Sequence, residues 1–128
     1  MPKNDYWKLS AFEGAKLIRD GSISAEDLVS SCIERVNQTN NKINAIVDDL
    51  SESALEKALE LDKLSKKGSF KGPLHGVPIT IKENIDQKGY ATPNGLEALK
   101  DLIAPGNAPV VDNLEKDGAI IIGRTNTP

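Results

Sequence analysis

Gly72-Pro73-Leu74-His75-Gly76-Val77-Pro78-Ile79-Thr80-Ile81-Lys82-Glu83-Asn84 is a Gly/Pro-rich loop that runs into a short β-branched strand, and the strand stops on a lysine. Alternation puts Val77, Ile79 and Ile81 on one face and Pro78, Thr80 and Lys82 on the other. Pro78 is tolerable at the strand start, where pairing has barely begun. A strand-end lysine is most simply a solvated surface charge. It becomes a general base only when its amine is held neutral, which takes burial without a salt bridge, or neighbouring cations. Gly76 and Pro78 fix the backbone around this one and Thr80 offers a hydrogen bond beside it, so Lys82 is the leading candidate for chemistry.

Towards the N-terminus the pattern is helical. Ser10-Ala11-Phe12-Glu13 spells a capping box for a helix that stops at Asp20-Gly21. Ser24-Ala25-Glu26-Asp27 opens a second helix, in which Leu28, Cys32 and Val36 recur at helical spacing to about Asn37. Ile43-Asn44-Ala45-Ile46-Val47 reads as a strand. Ser51 then caps a third helix, whose stripe of Ala54, Leu55, Ala58, Leu59, Leu61 and Leu64 fades at Lys66-Lys67-Gly68.

Towards the C-terminus, residues 83–106 are irregular, with room for a short helix over 94–102. About twenty residues of loop inside a small domain signal either function or a mistaken assignment. Asn107 caps a last helix to about Asp117, with Val110, Val111 and Leu114 inward and Gly118 at its C-terminal turn. Ala119-Ile120-Ile121-Ile122 reads as a strand buried on both faces. Only two other strand candidates exist, so the sheet is expected to lack partners. Residues 120–122 should then expose an apolar edge that favours self-association, and a homo-oligomer stays open.

The 128 residues fit one domain; 38% are hydrophobic, 27% charged and 4% aromatic, and the net charge is −3. With no basic stripe and few stacking aromatics, direct nucleic-acid binding is not expected. The single cysteine, Cys32, rules out an internal disulfide and reads as a small core residue. The single histidine, His75, reads as a loop residue hydrogen-bonded to backbone, with a tuned acid/base role as the alternative. His75 and Cys32 do not by themselves build a zinc site, and no cofactor is expected. Glu83 reads as an alternating surface charge beside Lys82. A hard-cation site from Glu83, Asn84 and Asp86, with Asp48 and Asp49 as further carboxylates, is the minor alternative. There is no G-x-S-x-G elbow, no phosphate loop and no evident activated serine. No apolar leader opens the chain, and no run of about 18 apolar residues occurs, so a cytoplasmic protein without a membrane span is expected.

The residues from Gly72 to Asn84 resemble the amidase signature family. So do Ala91-Thr92-Pro93-Asn94-Gly95, Pro109-Val110-Val111-Asp112, Gly118-Ala119 and Ile122-Gly123-Arg124-Thr125-Asn126, in that family's order and spacing. The early helices, with Ser24-Ala25-Glu26-Asp27-Leu28-Val29, match its usual N-terminal region, so the likeness covers nearly the whole chain. The resemblance implies a large mixed α/β sheet, here truncated. A helical part lies over about 1–68 and the start of the sheet core over about 69–128. It also implies an amidase that cleaves a C–N bond of a small-molecule amide with a Ser–cisSer–Lys triad, in which Lys82 stands at the position of the catalytic lysine. The family's two serines belong to a later Gly-Gly-Ser-Ser-Gly-Gly-type segment that these residues do not include, so the chain alone is expected to be inactive. Glu83 stands where aspartate is usual, and Leu96 where a serine commonly follows the glycine. Two other readings remain: an A-type subunit of a glutamine-dependent tRNA amidotransferase, and a non-catalytic interaction domain.

Overall fold

Hydrogen bonding at helix starts organises the N-terminal layer. In the computed structural model, which describes Met1 to Pro128, a 3-10 turn over Lys3–Lys8 leads into α1 (Ala11–Arg19). The capping box is formed: Ser10 Oγ accepts the Glu13 N–H at 3.2 Å and the Ser10 N–H reaches Glu13 Oε2 at 2.8 Å. Helix α2 spans Ala25–Ile43, and the carboxylate of Asp62 accepts the backbone N–H groups of Ala25 (2.7 Å) and Glu26 (3.0 Å) at its start. It runs past the expected end at Asn37, its polar residues 37–42 continuing the helix with Asn40 bonded to Ile46, and it stops only where Asn44 turns left-handed at φ 49°. The following strand is displaced accordingly: β1 is Ile46–Asp49. Helix α3 is Ser51–Lys66, β2 is Pro78–Lys82, α4 is Pro109–Lys116 and β3 is Ile120–Thr125, with a single 3-10 turn, Glu97–Leu99, inside the expected 94–102 stretch.

Two expected caps are reassigned. Leu50, not Ser51, is the N-cap of α3; Leu50 is buried, and the Asp49 carboxylate takes the Ser51 N–H at 2.9 Å. Ala108, not Asn107, precedes α4. Asn107 Oδ1 instead accepts the Lys88 N–H at 2.7 Å while its Nδ2 donates to Asp112 of α4 at 2.9 Å, so its side chain ties the preceding loop to the helix without capping it. Val110, expected inward, is exposed, whereas Val111 is fully buried.

The sheet order is β1-β3-β2, with β1 antiparallel and β2 parallel to β3. This corrects the expectation of an exposed apolar edge at residues 120–122. β2 runs along all of β3 and β1 along Gly123 to Thr125, and Ile120, Ile121 and Ile122 are buried, so the expected apolar edge is not exposed. The outer sides of β1 and β2 are the open edges. Both carry features that discourage pairing: Pro78 on β2, and on β1 the side chain of Asn40, which bonds both the N–H (2.8 Å) and the C=O (2.9 Å) of Ile46.

Alternation along β3 builds three layers. Ile120 and Ile122 pack with Ile18, Leu28, Val29, Ala54, Ala58 and Leu61 of α1–α3, and Ile121 packs with Ile81, Leu50 and Val111 on the α4 side. The loop over 72–76 lies against the turn after α4: Leu74 N–H donates to Asp117 O and Gly76 N–H to Gly118 O, each at 2.9 Å. The approach is close enough that a Cβ on Gly118 would sit 2.6 Å from His75 Cα. Glycine is required there by space as well as by its φ of +92°.

Candidate active site around Lys82

Lys82 is the last residue of β2 and lies opposite Thr125 of β3 in parallel register. Ile79 and Ile81 face α4, so Thr80 and Lys82 emerge on the other side of the sheet, and both are exposed. This differs from the dry setting a base requires: within these residues nothing covers the amine. Helices α1–α3 cover Ile120 and Ile122, well before Thr125 on β3, the residue opposite Lys82, and stop short of Lys82. None of the five ion pairs involves Lys82.

The carboxylates do not converge on it. Glu83, expected at the surface, is buried at 7% exposure, and its N–H donates to Thr125 O at 2.9 Å, continuing the β2–β3 ladder. Asp86 accepts the Thr92 hydroxyl at 2.6 Å, Asp49 is committed to Ser51, and Asp48 bonds Arg124. No group of three or more His, Cys, Asp or Glu side chains is arranged to hold a metal ion. The hard-cation alternative at Glu83, Asn84 and Asp86 therefore has no geometry behind it.

His75 is buried, and it is a structural residue. Its Nδ1 accepts the Lys71 N–H at 2.9 Å, so the neutral ring carries its proton on Nε2, which lies 3.1 Å from Leu61 O and 2.9 Å from Ser65 Oγ. A donor at Nε2 cannot take a proton from Ser65, whose hydroxyl is in reach of Leu61 O at 3.1 Å, so this pair is no Ser–His nucleophile. Desolvation holds the imidazole below its usual basicity, and the cations Arg19 and Lys71 act in the same direction. Burial alone pushes the Cys32 thiol up to about 11, which fits a core residue and removes it as a nucleophile.

Sequence reasoning missed the role of Arg124. It lies on β3 beside Ile81, is wholly buried, and gathers the irregular segment that follows Lys82. The signal was present as a lone cation directly after an apolar strand, which calls for buried acceptors. A groove of about 480 Å³ between α1, α2 and α3 is lined by Ile18, Ile23, Asp62, Ser65 and Phe70; Lys82 does not line it, and the Asp62 carboxylate there is spent on the α2 N-terminus.

Comparison with known proteins agrees with this arrangement. Residues 27–128 match the Amidase family. An indoleacetamide hydrolase of Bradyrhizobium diazoefficiens is 52% identical over 99% of this chain and 24% of its own length. An acylamidase of Rhodococcus erythropolis is 40% identical over 98% of the chain and 26% of its own length. Among solved structures, a fatty acid amide hydrolase superposes on 100% of the chain with a TM-score of 0.93 at 29% identity, over 23% of that enzyme. A native peptide amidase from Stenotrophomonas maltophilia superposes on 96% of it with a TM-score of 0.85 at 27% identity, over 26% of that enzyme. The chain spans about a quarter of the length of the curated relatives it matches. Family match, relatives and three-layer fold point the same way, and the chain belongs to the amidase signature family.

Proposed function

We propose that the complete natural protein is an amidase, cleaving the C–N bond of a small carboxylic amide, and that Lys82 is its proton-accepting base. The observation that carries this reading is the setting of Lys82: a strand-end amine with no ion-pair partner in a chain with 52% identity to an indoleacetamide hydrolase. In this scheme the neutral amine takes a proton from a bridging serine, and that serine takes one from a nucleophilic serine as it attacks the amide carbonyl. The relay then runs in reverse: the bridging serine gives one proton to the departing amine and regains one from the lysine, and water then clears the acyl-enzyme. The two serines, and the cover that keeps the amine neutral, belong to the part of the family's length that these residues do not span. The exposure of Lys82 seen here fits that division of labour.

A second reading is an A-type amidotransferase subunit. Subunits of that name, such as that of Natranaerobius thermophilus, are 37% identical over 93% of the chain. The indoleacetamide hydrolase and the acylamidase are closer, at 52% and 40%, which favours simple hydrolysis. Ammonia release by the complete natural protein from a panel of primary amides, including an aryl acetamide and glutamine, separates the readings. Turnover of an aryl or alkyl amide without a partner protein is the expected result. Turnover of no amide, or of glutamine alone and only in the presence of other subunits and charged tRNA, would overturn it.

A further inference from the structure

Arg124 is 0% exposed, yet it carries a full charge and its one ionic partner, Asp48, is 42% exposed. All five guanidinium N–H groups have an acceptor. Nε donates to Asp48 Oδ2 (3.0 Å), Nη1 to Ile85 O (3.2 Å) and Gln87 Oε1 (3.4 Å), and Nη2 to Glu83 O (3.0 Å) and Ala91 O (2.7 Å). All but Asp48 lie between Glu83 and Ala91, the stretch that leaves β2 directly after Lys82. The ring of Tyr90, from the same stretch, lies 5.5 Å from the guanidinium carbon.

Packing does not explain this choice of residue. An apolar side chain beside Ile81 and Ile121 would fill the volume without the cost of burying a cation. What a guanidinium adds is a rigid planar fork that holds several acceptors at fixed angles. The fork works on the α4 face of the sheet, opposite Ile81, while Lys82 leaves β2 on the other face. With Glu83 O held by Nη2 and Glu83 N–H held by Thr125 O, both backbone polar groups of the residue after Lys82 are fixed.

We infer that Arg124 is a positioning residue for Lys82: it locks the chain just past the strand end and so sets where the amine points. The inference rests on the proposed role of Lys82 as base. A misplacement of about 1 Å in a reacting group costs on the order of a hundredfold in rate, so positioning at this range has a measurable effect.

The test uses the complete natural protein with Arg124→Lys, which keeps the charge and loses the fork, and Gln87→Met, which removes one acceptor at little cost to packing. Rates are expressed per folded molecule, and the Lys82 Cε signal is followed by NMR in each variant. Arg124→Lys is expected to lower kcat about tenfold or more with KM within about twofold, and to displace the Lys82 signal. Gln87→Met is expected to do the same more weakly. Arg124→Lys decides if it folds, and Gln87→Met decides if it does not. A kcat within twofold of wild type, with the Lys82 signal unmoved, in the deciding variant overturns the inference. Lys82→Met is run alongside. If it keeps wild-type activity, the base reading fails, and the NMR displacement still decides whether Arg124 fixes the position of Lys82.

Discussion

His75 shows how a single proton can be worth more to the fold than to chemistry. Its Nδ1 faces a backbone N–H, so a second ring proton would set two donors against each other and bury a charge. Arg19, Lys71 and Asp62 are the charged groups that act on it, and desolvation outweighs the favourable Asp62. The sign follows from linkage. The folded state binds this proton less readily than the unfolded chain, so the stabilisation is complete above the unfolded value of 6.5 and is lost as pH falls below it. Urea midpoints at pH 7.5 and pH 5.5 are expected to drop with acid in the wild type and to drop less in His75→Gln; equal drops would contradict the assignment. Cys32 runs the other way. Its thiol is raised from 9.0 to about 11, so its contribution is intact below 9.0 and fades as pH rises through that interval. At pH 8 a thiol reagent should label Cys32 slowly in the folded chain and rapidly in denaturant. Equal rates would show the thiol to be solvated.

At the level of elements, the two glycine-bearing turns that meet at His75 are the most sensitive places. Replacing Gly118 by alanine must push a Cβ to 2.6 Å from His75 Cα at a φ of +92°. A loss of about 2 kcal/mol or more in unfolding free energy is expected, read by chemical denaturation. Asp62→Ala frees two N–H groups at the start of α2 and should cost about 1–2 kcal/mol, with a change below 0.3 kcal/mol arguing that water caps the helix equally well. Much of this layer was legible in the sequence. The capping box at Ser10, the start of α2 at Ser24 and the alternation over 77–82 are local signals, and they lie where they were read; of the α3 stripe, Ala54, Ala58 and Leu61 are buried, whereas Leu59 and Leu64 are exposed. What could not be read locally were caps supplied from afar, such as Asp62 for α2, and a helix end decided by the left-handed turn at Asn44 rather than by polarity. The loop over 83–106 looked structureless because residues 83–91 are ordered by Arg124, distant in sequence and silent in any local pattern, and the rest by the bridge between Ala91 and Ile103.

For the whole molecule, the apolar strand β3 is buried within the sheet, and this removes the apolar edge on which self-association was expected. Residues 120–122 are buried, with β2 along one edge and the Leu50 N–H bonded to Ile122 O on the other. The place of Lys82 was read correctly as a strand end. Its exposure was not foreseen, because no local pattern reports what covers a side chain at a strand end. Residues 1–128 alone are accordingly expected to hydrolyse no amide above a Lys82→Ala control. The most direct measurement is the turnover of a good amide substrate by the complete natural protein, wild type against Lys82→Ala, at matched folded concentration. Loss of the base should lower kcat by about 10² to 10⁴. A variant that turns over within about threefold of wild type would leave Lys82 as nothing more than a solvated charge at the end of a strand.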